Sequence, residues 1–90
     1  MYGVVYHPKV LSVDISKLGT SDKRRVQKVI EEKLMTNPEV YGMPLRKSLR
    51  GYRKIRVGNY RVIFKIKNKW VLVFLIEHRS VAYIKIYSRM

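Results

Sequence analysis

The sequence predicts an α+β fold of order β-α-α-β-β-β, with an N-terminal helical hairpin packed on a mainly antiparallel sheet. Three observations predict it. Apolar residues recur at helical spacing in two early segments, a period of two takes over from Tyr52, and a near-continuous apolar run covers Trp70 to Ile76. Hydrophobic residues make up 47% and charged residues 29% of the chain, enough apolar material for a core. Residues 1–90 are expected to form one domain, because either half alone would bury too little surface to offset its ordering entropy.

Each element has a local reason. Tyr2 to Tyr6 reads as a strand. Pro8 suits the first turn of a helix along which Leu11, Ile15 and Leu18 recur, with Gly19 as its stop. A second helix follows, with Thr20 or Ser21 as N-cap, Asp22 at the positive end of the dipole, and Val26, Val29, Ile30 and Leu34 on one face. It ends by Asn37-Pro38. Beyond Tyr52, Ile55 and Val57 alternate with Lys54 and Arg56 up to a tight turn at Gly58-Asn59. In the next strand Val62, Phe64 and Ile66 share one face, while Arg61, Ile63, Lys65 and Lys67 share the other. Asn68-Lys69 makes a second turn, and the run from Trp70 is expected as a central strand. The segment Val81 to Tyr87 fits a fifth strand or a short helix, its β-branched residues favouring the strand.

Charge is the most informative property. Twenty Lys and Arg against six Asp and Glu give a formal net charge of +14, a self-repelling excess that a polyanion would relieve. The cations are also clustered. Between Val40 and Ile76 there is no acid, while Arg46, Lys47, Arg50, Arg53, Lys54, Arg56, Arg61, Lys65, Lys67 and Lys69 all fall there. A merely soluble surface would interleave the two signs. The clustering favours nucleic acid over an anionic membrane surface or an acidic protein.

Other classes find no support. There is no cysteine, so neither a disulfide framework nor a thiolate metal site is expected, and two histidines, His7 and His78, do not make a zinc site. No metal and no cofactor is implied. The longest apolar run is too short to span a bilayer and no signal-type segment opens the chain, so a cytoplasmic, membrane-free protein is expected. Paired carboxylates, a glycine-rich phosphate loop and a nucleophile elbow are all missing.

What remains is chemistry by cations and a phenol. Strand alternation gathers Lys54, Arg56 and Arg61, although exposed strands also carry Lys and Arg simply to discourage edge pairing. Arg79 and His78 follow the apolar strand, with Tyr83 four residues after Arg79. A lone histidine is more often structural than catalytic. In RNA the ribose 2'-OH is a built-in nucleophile, so scission needs in-line geometry, stabilisation of added negative charge and proton transfer at two oxygens. RNA phosphate is therefore the expected target.

The stretch Leu49 to Phe64, read as L-R-G-Y-R-K-I-R-V-G-N-Y-R-V-I-F, together with His78-Arg79 and Tyr83, resembles the RelE/ParE superfamily of prokaryotic toxins, and its RelE branch most. The resemblance spans essentially the whole chain. It implies the toxin of a type II toxin-antitoxin system, a metal-independent, ribosome-dependent endoribonuclease that cuts messenger RNA in the decoding site and leaves a 2',3'-cyclic phosphate. It implies a catalytic set of Lys54, Arg56, Arg61 and Arg79, with Tyr83, or Tyr87 in its place, as the aromatic member. Arg61 and Arg79 would hold the scissile phosphate. Lys54, crowded by like charges, would exchange protons, with His78 or a tyrosine sharing that duty. Arg46, Lys47, Arg50, Arg53, Lys65, Lys67 and Lys69 would bind or steer RNA and ribosome. An acidic cognate antitoxin bearing an amphipathic helix is the implied protein partner. Two alternatives stand beside this one: a non-catalytic ParE-like inhibitor of DNA gyrase, and an inactive relic that only binds antitoxin or nucleic acid.

Overall fold

A computed structural model describes residues 1–90. The chain opens with β1 (Gly3–Tyr6), followed by a helical segment wound as a wide turn over Val10–Asp14 and a tight one over Ile15–Lys17. Ser16 Oγ donates to the Val13 carbonyl at 2.7 Å, a side-chain to backbone bond that competes with regular winding. Helix α1 (Thr20–Val29) runs on through a wide turn at Ile30–Leu34. Its N-cap is Gly19, one residue before the expected Thr20 and two before Ser21, and no side chain caps it. Val26, Ile30 and Leu34, spaced by four, are its buried stripe.

Pro38 ends that helix and begins the short α2 (Pro38–Tyr41), where its missing N–H costs nothing. Then come the two-residue β2 (Met43–Pro44), a single turn at Lys47–Leu49, β3 (Arg53–Val57), β4 (Tyr60–Lys67) and β5 (Trp70–His78). The sheet order is β1-β5-β4-β3-β2, antiparallel except for the β1–β5 pair. Gly58 turns β3 into β4 with φ of +59°, where any Cβ would also meet the Arg25 guanidinium. No helix is long and apolar enough to cross a membrane.

Both faces of the sheet are covered, by different means. The helical hairpin packs on one face through Val26, Ile30 and Leu34 against Ile55, Val62, Phe64 and Val73. On the other face a smaller core joins Leu49, Tyr52, Ile63 and Leu75 to Ala82 and Ile86. These last two belong to α3 (Ala82–Lys85) and the tight turn Ile86–Ser88 that continues it. The strand favoured by β-branched content is thus a helix. A strand would set Ala82, Ile84 and Ile86 on one face, whereas a helix buries Ala82 and Ile86, four apart, and leaves Ile84 exposed, as it is.

β1 is shorter than β5, which leaves an open edge beyond Val73. A buried ion pair closes it. Asp14 Oδ2 accepts from the Ile76 amide at 2.9 Å, while Arg89 donates to the Phe74 carbonyl at 3.0 Å and to both Asp14 oxygens at 2.8 Å. The pair stands in for the missing strand and ties the end of the chain to the first helical segment. Nothing in the sequence reading singled out either residue.

Candidate nucleic-acid interface

The β3–β4 register sets Arg56 directly opposite Arg61 and Lys54 opposite Ile63. All four therefore project from the face that carries the smaller core. Arg56 is exposed, Lys54 is half-buried, and Arg61 is only 7% exposed. Burial of a guanidinium needs hydrogen bonds. Arg61 Nη1 donates to the carbonyls of Tyr60 at 2.9 Å and Gly58 at 3.3 Å. No fully buried side-chain nitrogen is left without a partner, so its remaining N–H groups keep some contact with solvent. The residue is a clamped, partly desolvated donor whose other N–H groups take no protein partner.

Glu77 is the cross-strand partner of Arg61 on β5, yet it does not neutralise it. Its carboxylate binds Lys85 at 3.1 Å and Lys17 at 3.7 Å, and accepts from the His78 amide at 3.1 Å. Burial pushes the Glu77 carboxyl up, but the His78 amide and the two ammonium groups outweigh it and hold it below the usual range. None of the ten cations between Val40 and Ile76 takes part in an ion pair. The positive field of this face is uncompensated.

Helix α3 brings Tyr83 to the cluster, with Lys54 Nζ lying 5.3 Å from the centre of its ring. Tyr87, the alternative aromatic, points elsewhere and bonds Ser48 Oγ at 2.7 Å. Arg79 is exposed, and its amide donates to the Asn59 carbonyl at 2.8 Å, which ties it to the β3–β4 turn beside Arg61. His78 is not brought to the cluster. Alternation along β5 gives Glu77 to the cationic face and His78 to the helix face, where its ring stacks edge-on against Tyr60, centroids 5.9 Å apart. Its Nδ1 accepts from the Ser80 amide at 3.1 Å and meets Ser80 Oγ at 2.8 Å.

The expected binding cations also divide. Lys65 lies on the cationic face, its Nζ 4.3 Å from the centre of the Tyr52 ring, and Lys67 continues the row, exposed. Lys69 leans over Tyr2 in the β4–β5 turn. Arg46, Lys47 and Arg50 are exposed on the connection before β3. Arg53 belongs to the helix face, where it donates to the Gly42 carbonyl at 3.0 Å and the Glu39 carbonyl at 3.2 Å and so fastens α2. The Lys17, Glu77 and Lys85 cluster escaped the sequence reading. Its one signal was a solitary acid closing an apolar strand.

Such a face presents guanidinium and ammonium donors, the chemistry that suits an oxyanion such as phosphate. Lys54 and Tyr83 add an ammonium and a phenol in contact with one another.

Among family models, one described as ParE toxin of type II toxin-antitoxin system, parDE, matches residues 4–83. No curated protein sequence matches the chain. A solved toxin-antitoxin complex, RelBE2 from Mycobacterium tuberculosis, contains a chain 28% identical, with a TM-score of 0.80, covering 87% of this chain and 98% of that one. A mutant of the E. coli toxin RelE in the free state is 22% identical, with a TM-score of 0.73 and coverage of 98% and 92%. The RelB-RelE antitoxin-toxin complex from Methanococcus jannaschii is matched at 21% identity, with a TM-score of 0.69 and coverage of 89% and 95%. The last two are likenesses of fold.

Proposed function

The chain belongs to the ParE toxin family of type II toxin-antitoxin systems, within the RelE/ParE superfamily, and from that premise we propose that it is a ribosome-dependent endoribonuclease that cuts messenger RNA. The supporting observation is the cationic face free of ion pairs on which Arg61 is clamped by the β3–β4 turn, to which the Arg79 backbone is also tied, while Lys54 meets Tyr83. In this reading the ribose 2'-OH attacks the adjacent phosphorus, a 2',3'-cyclic phosphate forms and the 5'-oxygen leaves. Arg61 and Arg79 carry the extra phosphorane charge. Lys54 and Tyr83 exchange protons with the 2'- and 5'-oxygens, and Arg56 adds field. His78, turned to the other face, positions Tyr60 and Ser80 and takes no part in proton transfer. The ribosome supplies message and in-line geometry. A cognate acidic antitoxin is the proposed protein partner, in keeping with the complexes in which the similar chains were solved.

One observation favours a second reading. The matching family model is that of ParE toxins, and by that kinship the protein would bind DNA gyrase without catalysis. Induction in growing cells separates the two: cut messages with intact chromosomal DNA are expected, and DNA damage with intact messages would favour gyrase.

Two further outcomes are expected. Tyr83→Phe should lower cleavage about 10²-fold, the scale of losing one proton-transfer group, while Tyr87→Phe should leave it within about 3-fold. Single-turnover cleavage of ribosome-bound message measures both. Equal losses would remove Tyr83 from its assigned place. Affinity for ribosome-bound or free RNA should also fall steeply with salt, the logarithm of the association constant declining linearly with that of salt as counterions are released. A flat salt response would contradict phosphate contact.

A further inference from the structure

We propose that Trp70, the only tryptophan of the chain, is a stacking platform for an unpaired RNA base at the far end of the cationic face. The proposal rests on the RNA reading above and extends it to a second contact site. Trp70 is 51% exposed and belongs to neither core, so its ring is open to a partner. Register places it on the face of Arg61: Trp70 pairs with Lys67, Leu72 with Lys65, and the alternate residues Val71 and Ile66 turn to the helix side.

The ring also has a built seat. Gly3, its partner on β1, has no side chain, and a Cβ there would lie 2.5 Å from the indole ring. The ring therefore leans over β1 and presents its other side to solvent. Lys65 and Lys67 connect it to the candidate site. From Arg61 to Lys67 the strand covers about 20 Å at ~3.3 Å per residue, room for several nucleotides. Lys67 makes no ion pair. Cations along a backbone track with an aromatic face for a base is the chemistry that holds single-stranded nucleic acid.

The sole tryptophan makes the test direct. A single-stranded, 2'-O-methylated oligoadenylate decamer, which resists cleavage, is titrated while indole fluorescence and the anisotropy of a labelled strand are followed. Quenching is expected to saturate with the binding curve. Trp70→Ala should weaken binding about 5- to 150-fold, the range for one stacked base. Trp70→Phe should keep most of the affinity, and Gly3→Ala should weaken binding by displacing the ring without altering it. Lys67→Ala should reduce the salt slope by about one. Unchanged fluorescence, with Trp70→Ala binding as tightly as wild type, overturns the platform and leaves the RNA reading standing. No binding by any form, with all forms folded by circular dichroism, overturns the platform as a site for single-stranded RNA, and the ribosome-dependent reading is then decided by the cleavage assay. Quenching by an acidic helical peptide but not by the decamer assigns the ring to a protein partner and overturns the platform as an RNA site.

Discussion

Replacing Arg61 with alanine is expected to slow message cleavage on translating ribosomes by about 10²–10³-fold, replacing Arg79 by a similar factor, and replacing both to leave no cleavage above background. The expectation for Arg61 follows from its geometry. One guanidinium nitrogen is held by the carbonyls of Gly58 and Tyr60, so the other N–H groups are fixed before substrate arrives, and no acid competes for them. Preorganised donors need no reorganisation as negative charge develops on the phosphorane. Arg61→Lys should not restore activity, because a single ammonium cannot hold two carbonyls and also reach a phosphate in bidentate fashion. Thermal unfolding of the same variants separates lost catalysis from lost fold. Cleavage at the wild-type rate by the double variant would remove both residues from the site.

The second large effect is on stability. Asp14→Ala is expected to cost about 3–5 kcal/mol, a large part of the stability of a small domain. It strands the Arg89 guanidinium, which is 9% exposed, and leaves the Ile76 amide without its acceptor. Arg89→Ala should be comparably harmful, since Asp14 is 1% exposed and would keep a buried, unpaired charge. The double variant should lose less than the sum of the two. Denaturant midpoints at constant slope measure all three. A loss below about 1 kcal/mol for Asp14→Ala would show that water replaces the pair at the β5 edge. Because the same ion pair anchors the segment holding Tyr83 against Lys54, the surviving folded fraction of Arg89→Ala should also cleave more slowly.

The contrast between these two features shows what a sequence can disclose. Arg56 and Arg61 flank a two-residue turn, so local alternation and a glycine with positive φ suffice to place them side by side. The hairpin and the stripe of α1 are legible for the same reason. Asp14 and Arg89 lie 75 positions apart and meet only because β1 stops short of β5, a fact of tertiary pairing with no local period. The C-terminal helix misled because β-branched propensity is weak beside the burial of Ala82 and Ile86. His78 and Arg53 show a different limit. Their residue types suited the cationic surface, but strand parity gives each to the helix face, and the parity of His78 depends on the irregularity at Phe74, which the β4–β5 pairing skips. Composition located the basic surface, while the register decides which of its cations share a face.

The most direct measurement of the central claim is primer extension on a defined message carried by purified, translating ribosomes, with the chemistry of the new ends determined. Wild-type protein should cut within the decoding site and leave a 2',3'-cyclic phosphate with a 5'-hydroxyl, without added metal beyond what the ribosome needs. Full-length message after prolonged incubation with folded wild-type protein would contradict the nuclease reading.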